Sequence, residues 1–465
     1  MLELLLFRTR NRGNQGQSRG LTMLRRSQWQ NSVRVGLVLI SSYCVAQAGP
    51  QPSATPLRLT LRAAVQLALK QNPQRLAAHL VTLESERDRQ IARAPLLPQA
   101  GLVANDSLNQ YNFQSVERSK RLPAGPYQYV EAGPAFSQTI FDLPQIRGYQ
   151  IGKEGVRGAR AEESVTRETV SLAIVSQYLL VLRAQAKYEA AKARVALAER
   201  LFQQAEELQK TGVGLKIDTL RANVELQNEK QGLIDAQTAT RTTTYVLAEL
   251  LDLPPDQEPE VADRMEFFAL PVYDRPTMLN QALANRPEIS SIASQQRIAS
   301  LAHKSASEQR LPQLDFSGFW YYQGEHFNDG IPAYTYALGL SLPLFTGGRI
   351  QAEAARASLE EQRIEENRRQ LELRIVREVK SALDELESAR NSVEVANVGM
   401  TLANDEVAQA QRRFQAGVST NIEVITAQDE FARASDNQIE ALYRFNQSRA
   451  NLARAMGDIE DTYSK

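Results

Sequence analysis

Two stretches of this chain carry apolar residues at helical spacing for far longer than an ordinary helix, and neither contains a proline. They cover residues 145–253 and 345–465. In the first, Leu172, Val175, Leu179, Leu182 and Ala186 follow a 3-4-3-4 spacing, the seam of a coiled coil. The pattern breaks once in each stretch, at Gly212-Val213-Gly214 and at Gly417. Each stretch therefore reads as an antiparallel helical hairpin. The outgoing helix over 145–211 would be roughly 100 Å long at 1.5 Å per residue. Its return is expected from Ile217 to Leu251, ended by Leu253-Pro254-Pro255. The second long helix follows Leu342-Pro343-Leu344-Phe345, and its return ends at Met456. Glycines 148, 152, 155 and 158 lie near one face and permit close helix approach.

Ahead of each hairpin the period changes. Thr60 caps a short helix that ends near Asn72-Pro73, and a helix from Gln74 to Ala94 is broken by Pro95 and Pro98. Strands are then expected over 99–113 and 128–141, joined by a loop containing Pro123-Ala124-Gly125-Pro126. A second strand pair is clearer. Over 313–322, Leu314, Phe316, Gly318, Trp320 and Tyr322 share one face; over 334–342, Tyr334, Tyr336, Leu338, Leu340 and Leu342 share one. The loop between them runs from Gly324 to Pro332. One apolar face with aromatics at the strand ends suits a membrane barrel wall, with Leu314, Phe316, Trp320, Tyr336, Leu338 and Leu340 towards lipid. A soluble sandwich would use the same residues as core, and both readings stay open at this point.

The layout occurs twice. Ala282-Leu283-Ala284-Asn285-Arg286-Pro287 echoes Ala68-Leu69-Lys70-Gln71-Asn72-Pro73, 214 positions earlier, and Leu311-Pro312-Gln313 echoes Leu97-Pro98-Gln99. Past the strands the offset is 205, as between Gly417-Val418 and Gly212-Val213. The lost residues fall in the strand pair, so the first half has the longer loop. The expected organisation is a signal region 1–48, a first repeat 49–275 with a connector over 254–275, and a second repeat 276–465. Two strand pairs give four strands, too few to close a membrane barrel. An open sheet edge in lipid leaves backbone groups unsatisfied. Strands that enter a membrane must then come from several copies, and three copies give twelve.

Composition adds an export signal and removes several chemistries. Net charge is zero over the whole chain, but the first 48 residues hold seven arginines and one glutamate, and the rest carries −6. Met23, the candidate start, opens a basic segment that leads to the apolar run 35–40 and a small-x-small site at Ala46-Gln47-Ala48. No later run approaches the ~20 apolar residues of a membrane helix. Cys44 is the single cysteine and falls in the leader; acylation there needs a small residue before it, where Tyr43 stands. The mature chain has no thiol chemistry. His79, His303 and His326 are far apart, so no metal site is expected. No basic patch suggests nucleic acid, and no catalytic constellation or cofactor motif appears.

At this point the chain resembles the TolC-type outer-membrane efflux family over about 58–457. The resemblance rests on the doubled layout, on Leu-Pro-Gln opening each first strand, on Leu342-Pro343-Leu344-Phe345 with Gly347-Gly348, and on the glycine turns followed by an acidic residue. It implies a mainly helical fold with a membrane β part: a homotrimer with one shared twelve-stranded outer-membrane barrel and a helical tunnel in the periplasm. The tunnel docks to a periplasmic adaptor and an inner-membrane pump, and the protein is a passive exit duct rather than an enzyme.

The same resemblance points to the hairpin tips, Gly212, Val213, Gly214 and Leu215 with Ala416, Gly417, Val418 and Ser419, as adaptor-docking and gating positions. Glycines there also serve simply to turn the chain. Glu423 matches the family's acidic ring at the tunnel mouth; Thr420-Asn421-Ile422-Glu423 equally reads as a helix capping box. The second ring position is Thr426. Asp218 matches a gate-locking residue whose partner positions read Ser419 and Phe414 here, so the family lock is absent, with Lys216, Arg412 or Arg413 as substitutes. The competing reading is an exported coiled-coil scaffold or adaptor without a membrane barrel. The exported compound is not visible in the sequence.

Overall fold

The computed structural model describes residues 57–110, 126–269, 273–326 and 328–464. The signal region with Met23 and Cys44, and most of the first strand-pair loop, lie outside those residues.

A short strand β1 (Leu57–Leu59) leads into α1 (Leu61–Gln71) and α2 (Pro73–Arg93). Thr60 caps α1 by accepting from Ala63 N, as its hydroxyl predicts. Asn72 caps α2 by accepting from Gln74 N and Arg75 N. Strands β2 (Gln99–Asn109) and β3 (Tyr127–Phe141) follow, then α3 (Leu143–Lys210) and α4 (Lys216–Leu250). The same order returns after β4 (Pro259–Val261): α5 (Arg275–Asn285), α6 (Pro287–Glu308), β5 (Gln313–Gly324), β6 (Ile331–Ser341), α7 (Arg349–Gln415) and α8 (Asn421–Met456). A short α9 (Ile459–Ser464) closes the described chain. Asn72 and Arg286 stand at equivalent N-caps. Arg286 makes no cap bond and instead pairs with Glu288 and Glu378, while Arg454 of α8 joins Glu288.

Helix α3 has 68 residues and α7 has 67, each about 100 Å long. Asp142 starts α3 by accepting from Gln145 N, with Pro144 in the first turn. Leu344 and Phe345 precede α7 rather than starting it, because Gly347 and Gly348 take positive φ. Of the four α3 glycines only Gly152 sits tightly against a neighbour: a Cβ there would meet Arg89 Cα of α2 at 3.2 Å.

Three features depart from the reading of the pattern, the last against the expectation that no run after the leader approaches a membrane helix. Strands β1 and β4 pair in parallel, and at three residues each they are too short to show a period. The connector packs on the helices, where Phe267 and Phe268 set their rings edge-on to the buried Phe445 of α8. Finally, α3 does contain a window long and apolar enough to cross a membrane by length and composition, half of it buried. Packing explains this: Val170, Ile174, Tyr178 and Val181 are core residues against α1, α4 and the β1–β4 pair. Tyr178 is fully buried, and its hydroxyl lies 2.9 Å from both the Leu59 carbonyl and the Asp263 carboxylate. Burial pushes that hydroxyl's pKa up.

The sheet order is β2-β3-β5-β6, all antiparallel neighbours. Around the body, α3 packs between α4 and α8 and α7 packs on α8, while α6 bridges α3 and α7 and α2 lies on α3. Each layer therefore has two unlike open edges: β2, α2 and α4 on one side, β6 and α7 on the other.

Candidate functional site

Both hairpin tips are built by one local rule. A helix ends in a glycine with positive φ, Gly212 at 79° and Gly417 at 71°, which a residue with a Cβ adopts only under strain. The next amide closes the cap: Val213 N donates to Leu208 O and Val418 N to Arg413 O, each at 3.1 Å. Gly214 is glycine for a different reason: a Cβ there would lie 2.9 Å from the Leu208 backbone. These turns push Val213, Leu215 and Val418 outwards, each at least 66% exposed. Ala416 and Ser419 flank the second turn.

Behind the tips the two hairpins share a small core. Leu201 and Ala205 of α3, Ala222 of α4, Val407, Ala410 and Phe414 of α7, and Val424 and Ala427 of α8 converge there. Phe414, at a family lock position, is thus a packing residue. One side-chain bond crosses between the hairpins at this level: Asn421 Nδ2 donates to the Asp218 carbonyl at 2.9 Å. Asn421 is fully buried, and neither its Oδ1 nor the Ser419 Oγ finds a partner.

The charged candidates are arranged otherwise than expected. Thr420 makes no side-chain cap bond, so the capping box does not form. Glu423 reaches across its own hairpin to Arg413, Nε to Oε1 2.8 Å. Asp218 lies in the first turn of α4 and pairs at 3.8 Å with Arg221. Lys216 opens α4 and Thr426 is exposed on α8. Among the described residues none of Lys216, Arg412 and Arg413 pairs with Asp218; the tie is Asn421, which the local pattern places inside a capping box. Higher up, Arg194 of α3 sits between Glu229 of α4 at 3.3 Å and Asp436 of α8 at 3.4 Å. Burial, with Asp429 and Glu229 nearby, holds the Glu225 carboxyl above its ordinary range.

The sheet carries the second candidate surface. Pairing places Leu340 opposite Leu314, Leu338 opposite Phe316, Tyr336 opposite Gly318 and Tyr334 opposite Trp320. Residues opposite each other share a face, so the apolar sides of β5 and β6 coincide. The face continues through Phe136, which faces Gly318, to Leu102, which faces Pro134. Trp320, Tyr336, Leu338 and Leu340 are 61–71% exposed. Leu314 and Phe316 are half-buried, Phe316 between the rings of Phe136 and Tyr336. The opposite face is small or polar over Asp315, Ser317, Ala337 and Gly339, and turns aromatic towards the β5–β6 turn, where the Phe319 and Tyr321 rings meet at 4.5 Å. Strands β5 and β6 extend to Gly324 and from Ile331, so the turn is shorter than the sequence suggested, with Pro332 opposite Tyr322. Six residues separate them, against seventeen between β2 and β3.

The histidines stay apart: His79 faces Glu163, His303 faces Glu361 and His326 sits in the β5–β6 turn. Among the described residues no three potential metal ligands converge.

Known proteins are similar to this chain in sequence and fold. The sequence profile of the family described as outer membrane efflux protein matches residues 64–252 and 278–458. The outer membrane protein TolC of Vibrio cholerae is 22% identical over 405 residues, 82% of this chain and 88% of that protein. The pyoverdine export outer membrane protein OpmQ of Pseudomonas putida is 24% identical over 419 residues, 83% and 84% of the two chains. The solved structure of the CmeC outer membrane channel of Campylobacter jejuni superposes with a TM-score of 0.76 at 17% identity, covering 86% of this chain and 85% of that one. With the profile spanning both halves, this chain belongs to the outer membrane efflux protein family.

Proposed function

We propose that this protein is the outer-membrane exit duct of a tripartite efflux or type I secretion assembly, conducting substrate passively from a periplasmic adaptor and inner-membrane pump. The observation that carries this reading is that sheet and helices are open at two unlike edges. Strand β2 ends the sheet on one side and β6 on the other, and unpaired strand edges are not tolerated in lipid. Pairing β2 of one copy with β6 of the next is a heterologous contact that closes into a ring. Three copies close a twelve-stranded barrel with the Leu338 face towards lipid and the Asp315, Ser317 and Ala337 face around water. A scaffold without a barrel would leave that apolar face without a use.

The helical layer supports the same closure. On α4, Ile217, Leu220, Val224, Ile234 and Tyr245 fall on one exposed 3-4 stripe, and on α7 Val395, Val398 and Leu402 do likewise. Ile234 and Val398 lie about 27 and about 26 Å from the tip end of their helices, so neighbouring copies bring them level. The element order running twice fits an internal duplication with repeats 49–275 and 276–465. We read the exposed tips, Gly212 to Leu215 and Ala416 to Ser419, as the adaptor-docking end, with Asp218, Lys216, Glu423 and Thr426 around the mouth. A cleaved leader over 1–48 delivers the chain to the outer membrane. An efflux cargo accords with the pyoverdine export that OpmQ's name records.

The test is disulfide cross-linking of the variant carrying both I234C and V398C, in outer membranes. The mature chain has no cysteine of its own, so background is absent. A ladder that stops at three copies is the expected result. Single chains only, or a protein found outside the outer-membrane fraction, would overturn the duct in favour of the scaffold.

A further inference from the structure

Resting on the duct reading, we infer that Arg413 sets the charge selectivity of the tunnel mouth by cancelling the Glu423 carboxylate. The pair is made inside one hairpin, between the last turn of α7 and the first turn of α8, with Arg413 Nε donating to Glu423 Oε1 at 2.8 Å. Each partner sits at the helix end that suits its sign, the cation at a C-terminus and the anion at an N-terminus. Over the turns flanking both tips, 211–218 and 412–423, the cations are Lys216, Arg412 and Arg413 and the carboxylates are Asp218 and Glu423. The mouth of a closed ring is therefore slightly cationic rather than a ring of free carboxylates. Glu423 also lines a groove with Asp405 and Glu406, further up α7. Without Arg413 these carboxylates would act together, and a ring of them at a narrow mouth attracts cations. Arg413 thus keeps the mouth open to anionic cargo.

Reversal potentials of the purified full-length protein in planar bilayers under a KCl gradient test this. Wild type is expected to pass K⁺ and Cl⁻ almost equally. R413Q should become several-fold selective for K⁺, and R413Q combined with E423Q should return to the wild-type value. The detergent-extracted mass of each variant checks that it has assembled as wild type does. A wild-type channel already strongly K⁺-selective, an R413Q channel identical to wild type, or a double variant that stays K⁺-selective each overturns the role of Arg413 while leaving the duct intact. A wild-type protein that forms no channel overturns the duct reading, and the inference with it.

Discussion

Placing an arginine at Leu338 asks directly which face of the sheet meets lipid. Strand β6 has 11 residues, which at 3.4 Å per residue and a 45° tilt span about 25 Å, the height of the apolar band of a membrane barrel. Leu338 is two residues from the strand's middle, hence about 5 Å from the membrane centre. An arginine facing lipid costs about 2–4 kcal/mol at the midplane and ~0–1 at the interface, so roughly 2 kcal/mol is expected per chain at this depth. A trimer multiplies that to roughly 6 kcal/mol, enough to impair assembly. Ala337 is the adjacent residue and lies opposite Ser317 on the other face. An arginine there enters the water-filled side and should cost less than about 1 kcal/mol. The assay is the yield of assembled protein in the outer-membrane fraction, followed by its unfolding midpoint in guanidinium. Leu338→Arg should lose most of the assembled protein, and Ala337→Arg little. Equal losses would refute the face assignment, and with it the argument that this sheet is a barrel wall.

Two further outcomes follow from the tip and the seam above it. Asn421→Ala removes the side-chain bond between the hairpins, worth about 0.5–1.5 kcal/mol per chain; single-channel recording should show a longer-lived open state, and an unchanged record would mean that the bond does not hold the mouth. Glu225→Gln tests the carboxyl whose pKa burial, Asp429 and Glu229 raise. A raised folded-state value means that the ionised group costs stability near neutral pH and that the cost fades as pH falls through that value. The variant should therefore melt higher than wild type at neutral pH and level with it below about pH 4. A gap that widens in acid would contradict the sign.

The two hairpins, their turns and the two faces of β5 and β6 were legible because each rests on a short-range rule. Apolar spacing of 3.6 or 2 sets the element and its buried side, and Gly212 and Gly417 mark the positions where φ must be positive. The same reasoning found the residues of the tips but not their partners. Glu423 could cap its own helix or pair across the hairpin, and local sequence is equal for both; the packing of α7 on α8 brings Arg413 within 2.8 Å and favours the pair. Asn421 meets the Asp218 carbonyl 203 positions away, and β1 meets β4 at a similar remove, with three residues each and no period to read. The amphipathic pattern showed that the helices must be covered, whereas only the order in which they pack, α4-α3-α8-α7, left α4 and α7 as the uncovered pair. Periodicity is a property of neighbours along the chain. Side-chain partners and open edges depend on residues from ten to some two hundred positions apart, and tertiary packing alone brings those together.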